Sequence, residues 1–322
     1  MSMVKYIFQR ILLMLFVFAA IMVMCFFLVK ALPITIEATG EQAEIIKKRF
    51  EMLGYYKPVG EQFIIYVKNV FTNWDWGTST AIDRWQPAVN TLSDRIAPTI
   101  LINIYSLILS VPIGIVFGIF AALKKNKWQD QVISTGVMLF ISVPSFVYAF
   151  LVQYIFAFKL GWLPPIAASL ADAGNSWFSW AMFKSLLLPV LSLSFGTIAG
   201  LTRSTRAELT EALTSDYMLL ARTKGLTKAQ AIWRHALKNA MVPILPGIIS
   251  SFVGILGGSF IIEQIFAVPG VGKLYILALT MRDYDVFLFV TAFYTFIGLA
   301  ANILIDLSYG FLDPRVRMGS RK

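Results

Sequence analysis

The chain has 322 residues, 57% of them hydrophobic and only 14% charged, with a mean hydropathy of +0.71. A soluble domain carries roughly 25% charged residues, so this composition belongs to a membrane protein. A single cysteine (Cys25) and a single histidine (His235) exclude a disulfide framework and argue against a His/Cys metal site, while the net charge of +10 is laid out for membrane orientation rather than nucleic-acid binding.

In chain order, charged residues fence off six apolar runs: Arg10 to Lys30, Arg95 to Lys124, Asp130 to Lys159, Lys184 to Arg203, Lys238 to Glu263, and Asp285 to Asp306. Each holds about 18 or more uncharged residues, enough for a helix to cross a hydrocarbon core of roughly 30 Å at about 1.5 Å per residue. The pattern predicts an all-α polytopic membrane protein with six transmembrane helices. Val29-Lys30-Ala31 faintly resembles a signal cleavage site. The apolar core before it exceeds the roughly 7–15 residues of a secretory signal, so residues 1–32 read as a retained signal-anchor helix.

Lys and Arg in the short loops set the orientation. Lys5 and Arg10, then Lys124, Lys125 and Lys127, then Arg203, Arg206, Arg222, Lys224, Lys228, Arg234 and Lys238, and finally Arg315, Arg317, Arg321 and Lys322 all fall on one side. The opposite short loops carry only Lys159, Lys184, Lys273 and Arg282. Both termini are expected in the cytoplasm, with residues 311–322 a basic tail.

Residues 33–95 then form an external module. Ile45, Ile46, Phe50 and Leu53 sit at helical spacing within Glu41–Leu53, Gly54 ends that helix, and Val59–Phe71 repeats the pattern. Two or three small helices are expected, with Trp74, Trp76 and Trp85 near the membrane interface. A dock or lid for an external partner, or a solvated loop packed on its own spans, would both fit.

Within the spans, Gly114 and Gly118, Gly196 and Gly200, and Ser250, Gly254 and Gly258 recur at four-residue spacing. Such stripes let helix backbones approach, and Gly257 beside Gly258 offers a bend for gating. Pro112, Pro144 and Pro189 are tolerable in membrane helices. Ionisable residues are nearly absent from mid-membrane. Lys30, Glu263 and Asp306 lie at the ends of their runs, where snorkelling or an interface role is expected. That scarcity weighs against an ion-coupled secondary carrier, and a passive channel subunit is the other rival.

No catalytic constellation is present. Val268-Pro269-Gly270-Val271-Gly272-Lys273 lacks phosphate-loop spacing and is followed by Leu274 where a Ser or Thr would stand. His235 has no partner at ligand spacing, and Cys25 reads as an apolar filler. Energy for uphill transport would have to come from another subunit.

The long polar stretch on the cytoplasmic side, Arg203–Gly247, has its own architecture. Ser215 and Asp216 are N-cap residues, Tyr217–Lys224 makes about two turns, and Gly225 suits the left-handed stop. Thr227 with Gln230 forms a capping box for a second helix, which is expected to give way at Pro243 and Pro246. A short helix held between two spans is well placed to dock in a partner's groove. Glu208, Glu211 and Asp216 among the bases argue against a helix that merely lies on anionic lipid.

Those residues also carry a resemblance. Asp216-Tyr217, Ala221-Arg222, Lys224-Gly225-Leu226, Arg234-His235-Ala236-Leu237 and Asn239 with Pro243 resemble the cytoplasmic loop of prokaryotic ABC importer permeases. More narrowly, they are similar to the B-type subunit of the oligopeptide/dipeptide/nickel group. Leu53-Gly54, Lys57-Pro58, Asp75-Trp76-Gly77 with Ser79, Arg95 with Pro98 and Thr99, Ser142 with Pro144 and Phe146, and Trp162-Leu163-Pro164 continue the likeness. Pro269-Gly270 with Gly272, Arg282-Asp283-Tyr284, Asn302 with Asp306, Leu307 and Tyr309, and Asp313-Pro314-Arg315 carry it nearly to the end. Leu219, Leu220 and Ala221 stand where the general permease loop has Glu-Ala-Ala, a change common in the peptide group. Leu32-Pro33 leads into Ile34-Thr35-Ile36 where that family often has Gly-Asp-Pro.

The resemblance implies the type I importer permease architecture, with a five-helix core over residues 96–310 and a coupling loop over 203–242. It implies a non-catalytic half-channel for peptides without a cofactor of its own, paired with a second homologous permease in a prokaryotic inner membrane. Two cytoplasmic ATPases would bind ATP and Mg, and an external substrate-binding protein would deliver cargo. Tyr217, Leu220 and Ala221 would be packing contacts to an ATPase, Asp216, Arg222 and Lys224 charged ones, and Gly225 the stop.

Overall fold

The computed structural model describes residues 3–33, 41–253 and 259–312, and among them the chain is helical apart from turns, loops and one bridge between Thr78 and Pro87. α1 (Met3–Lys30) is the first apolar run. α2 (Glu41–Met52) and α3 (Val59–Asn73) coincide with the two periodic stretches that follow it. α4 (Ala88–Leu123) starts several residues before the second apolar run, so its 36 residues overshoot a bilayer core at about 1.5 Å each.

The third run is broken. α5 (Trp128–Ser142) and α6 (Ser145–Gln153, continued by a π-helical turn over Tyr154–Lys159) meet at a bend of 101°. The cause is local: Pro144 forces Val143 into an extended conformation (φ −88°, ψ 128°), which ends α5. The straight span expected between Asp130 and Lys159 is therefore corrected to a bent pair.

α7 (Trp180–Leu213) is continuous for 34 residues, running well past Arg203, where the fourth apolar run ends. After it come α8 (Asp216–Thr223), α9 (Lys228–Ala231), a π-helical turn (Ile232–Ala236) and α10 (Leu237–Val253). Pro243 and Pro246 lie inside α10 rather than at a break, as membrane-embedded helices allow, so the expectation that the helix gives way there is corrected. α11 (Phe260–Ile265), α12 (Val271–Thr280) and α13 (Tyr284–Leu312) complete the chain. Among the described residues four helices are long and apolar enough to span a membrane (7–30, 88–123, 180–213 and 284–306), and the bent α5–α6 pair makes five. The apolar run from Lys238 to Glu263 appears as α10 and α11; Gly254, Gly257 and Gly258, with their packing and bending roles, lie outside the described residues.

The core is the seam between α4 and α7. A Cβ added to Gly114 would lie 2.7 Å from the Leu201 Cβ, and one added to Gly118 would come 2.9 Å from the Thr202 carbonyl oxygen. Only glycine permits that approach. Thr202 Oγ1 donates to the Gly114 carbonyl at 3.2 Å, and the Ser106 and Ser194 hydroxyls meet at 3.2 Å. Gly196 and Gly200 do not share this role: nothing lies within 4 Å of a Cβ at Gly200, and only the Tyr148 hydroxyl, at 3.4 Å, approaches one at Gly196.

At the end of the bundle away from α8, two aspartates staple residues 75–87 to the start of α13. Asp283 is fully buried and accepts from Ser79 Oγ (2.6 Å) and from the amides of Thr80 (3.1 Å), Ala81 and Ile82 (3.0 Å each). Asp285 accepts from Lys30 Nζ (3.2 Å), Tyr55 Oη (2.7 Å) and the Thr78 amide (3.2 Å). Burial, reinforced by Asp285, pushes the Tyr55 hydroxyl well above its ordinary range and keeps it a donor. Gly77 (φ +99°) passes so near the Asp285 side chain that no Cβ would fit. The Lys30 ammonium thus ends in a buried ion pair rather than snorkelling, and at the other end of α1 Arg10 pairs with Asp306 at 3.1 Å.

Glu263 also departs from its expected interface role, being fully buried. It accepts from Thr99 Oγ1 (3.0 Å) and the Lys273 amide (3.0 Å), while Thr99 Oγ1 accepts from the Val271 amide (2.8 Å). Gly270 and the first turn of α12 are thereby wrapped around the chain's own carboxylate.

Two outcomes follow from this packing. Gly118→Val should destabilise the fold by about 1–3 kcal/mol through overpacking, whereas Gly200→Ala should be neutral or slightly stabilising; equal thermal shifts in detergent would contradict the seam. Asp283→Ala strands three backbone amides at about 1–3 kcal/mol each. External protease should then cut within residues 75–87 at least about tenfold faster, a factor worth about 1.4 kcal/mol, and an unchanged rate would contradict the staple.

Candidate functional site

The chemistry-bearing surface grows from the end of α7. Thr214 and Ser215 leave the helix, with Ser215 in an extended conformation (φ −78°, ψ 154°) that lets α8 start in a new direction. The Ser215 hydroxyl donates back to the Ala212 carbonyl at 2.6 Å instead of capping α8. Asp216 in the first turn and Arg222 near the last complement the helix dipole. Gly225, at φ +88°, stops α8 in the left-handed region that L side chains rarely adopt. Two residues on, the predicted capping box is formed: Gln230 N donates to Thr227 Oγ1 (3.3 Å) and Thr227 N to Gln230 Oε1 (3.0 Å).

α8 has two faces. Met218 and Ala221, three residues apart, point inward and pack with Leu209 and Ala212 of α7, Ala122 of α4, and Ala231, Ile232, Ala236 and Ala240. On the other side Leu219 (65% exposed), Leu220 (56%) and Tyr217 are uncovered, with Asp216, Arg222 and Lys224 exposed around them. Ala221 is therefore corrected. At 5% exposure it holds α8 to its own chain and offers nothing to a partner. Met218 shares that task, and Leu219, the most exposed apolar residue of α8, belongs to the presented face. The Met218–Ala221 spacing against Tyr217–Leu220 carried this division; choosing the inward pair needed the neighbouring alanines, which are far apart in sequence.

Arg206 is a residue that loop counting misassigns. It sits in α7 and grips Asp130 of α5 through two of its three guanidinium nitrogens, Nε to Oδ1 and Nη2 to Oδ2 (2.8 Å), while Asp130 Oδ2 also accepts the Asn126 amide at 2.9 Å. Asp130 is nearly completely buried. Such a bidentate pair fixes angle as well as distance, so α5 follows the end of α7. Beyond the capping box, Trp233 (64% exposed), Arg234 and His235 add to the uncovered surface. The arrangement leaves an apolar face ringed by charged side chains uncovered at the end of α7. The inward face of α8 packs against α4, α7 and α10.

The family of binding-protein-dependent transport system inner membrane components matches residues 114–318, which include all of α8. The dipeptide transport system permease protein DppB of Lactococcus lactis is 34% identical over 98% of this chain and 100% of its own length. DppB of Bacillus subtilis is 34% identical over 85% of each chain, and the glutathione transport system permease protein GsiC of Escherichia coli is 30% identical over 98% of this chain and 99% of its own. The chain belongs to the binding-protein-dependent transport system inner membrane component family and is a multi-pass membrane permease subunit of an ABC importer.

Proposed function

We propose that this permease forms half of a translocation path for peptides. A second, homologous permease forms the other half, an external binding protein delivers the cargo, and two cytoplasmic ATPases, carrying ATP and Mg, drive the cycle. The observation that carries this reading is the two-faced α8 at the tip of a continuous α7: Met218 and Ala221 clamp it, while Tyr217, Leu219 and Leu220 are left uncovered. Peptide cargo is supported by relatives named for dipeptide and glutathione transport. The α8 end and both termini would face the cytoplasm at a prokaryotic inner membrane, a reading that the four basic groups support.

The mechanism follows from stiffness. A groove closing on Tyr217, Leu219 and Leu220, with Asp216, Arg222 and Lys224 paired at its rim, displaces α8. The buried contacts of Met218 and Ala221 move the end of α7 with it, and the Arg206–Asp130 pair draws α5 along. Because the glycines of α4 seat against α7, the three helices turn together rather than slide. Alternation between outward- and inward-facing states is then a rigid rotation of one permease against the other.

Uptake of a labelled dipeptide by the reconstituted complex, read beside ATPase recovery through a tag on this chain, tests the proposal. Leu220→Glu should remove a central anchor worth about 2 kcal/mol, cut both readouts by at least about tenfold, and leave the thermal midpoint unchanged. Gly225→Asp, strained at φ +88°, should insert normally yet lose uptake. Normal uptake in both variants would contradict the coupling role.

A further inference from the structure

α3 carries an apolar arc that the rest of the chain leaves half covered. Residues advance about 100° around a helix axis. One side of α3, with Ile65, Tyr66, Asn69 and Val70, faces the α2–α3 turn and the Asp285 staple. Next around the helix comes Phe63, whose ring lies 5.3 Å from Phe26 and 5.4 Å from Phe27 near the end of α1. Beyond Phe63 the arc continues through the half-buried Val67 to Ile64 (68% exposed) and Phe71 (85%), which nothing covers. Then it ends: Glu61, Lys68 and Thr72, all exposed, make a separate polar stripe on the far side. Trp74, exposed and in the left-handed conformation that closes the helix, adds an indole at the same end as Phe71.

What covers this arc is fixed by what adjoins it. Phe27 touches Phe63 and is itself exposed, as are Met24 and Leu28 of the apolar helix that spans the bilayer. The uncovered side of α3 is thus continuous with a lipid-facing surface, and its polar stripe is turned away from that surface. We propose that α3 is an interfacial helix, with Ile64 and Phe71 immersed in the outer leaflet and Glu61, Lys68 and Thr72 in water. Apolar residues on one side, charges on the other and an aromatic at the end are what such a position selects. The external segment is then held at two points, by the Asp283 and Asp285 staple from below and by lipid at its edge, so an arriving binding protein meets a surface of fixed height. The inference rests on the membrane topology above and is independent of the cargo.

Nitroxide labels on single cysteines, in a Cys25→Ser background and in the intact transporter in nanodiscs, test it. Collision with oxygen, which concentrates in lipid, is compared with collision with a water-soluble nickel chelate. Labels replacing Ile64 and Phe71 should favour oxygen several-fold more than labels replacing Glu61 and Lys68, with or without binding protein. A label at Leu15, exposed in the middle of α1, is the lipid reference. Equal, water-like accessibility at 61, 64, 68 and 71 beside a lipid-like Leu15 would overturn the proposal. So would protection of 64 and 71 from nickel that appears only when binding protein is added, since the arc would then be a protein dock. A water-like label at Leu15 would instead overturn the membrane topology itself.

Discussion

The unbroken course of α7, from Trp180 at one end of the bundle to Leu213 beyond the other, is the constraint on which the rest depends. A break near Arg203, where the apolar run ends, would leave α8 on a flexible loop. Continuity of backbone hydrogen bonding instead makes the docking surface and the membrane core one lever. The lever is effective because α4 lies against it at glycine distance and α5 is bolted to it by Arg206 and Asp130. Gly114, Gly118, Asp130 and Arg206 are therefore what holds α4 and α5 to α7.

Buried carboxylates organise the opposite end. Asp283 and Asp285 gather amides and hydroxyls from residues 55–82, and Glu263 gathers Thr99 and the first turn of α12. Each takes several donors, which is what allows a charge to remain in a protein interior. The result joins α1 and α13 to the segment between α1 and α4, and α4, α11 and α12 to one another, so that segment is part of the bundle's architecture and not a tethered appendage. Lys30 and its buried partner Asp285 complete the join between α1 and α13.

Much of this was legible in the sequence, and what was not has physical reasons. The apolar runs, α2, α3, α8 and the Thr227–Gln230 box follow from local periodicity and capping, which act over a few residues. Three features depend on neighbours distant in sequence and escaped it: the burial of Ala221, the pairing of Arg206 with Asp130, and the burial of Glu263. Ala221 looks the same on either face of a short helix until the alanines of the π-turn and α10 are brought beside it. Glu263 at the end of an apolar run reads as an interface residue because its donors lie far up the chain at Thr99 and ten residues on at Lys273. The glycine stripes split for the same reason: identical spacing marks a helix seam at Gly114 and Gly118 and an open surface at Gly200. Proline was misread in both directions, since Pro144 breaks a helix and Pro243 and Pro246 are absorbed by one.

The central claim is that the outward face of α8 receives force from a partner ATPase. A photo-crosslinking amino acid at Leu220, activated in membranes of cells expressing the whole transporter, tests it most directly. The account predicts an adduct between this chain and an ATPase subunit from Leu220, and none from the same group at Ile64 on the other side of the membrane. Adducts from Leu220 with lipid alone, or no ATPase adduct under conditions where uptake is active, would contradict it.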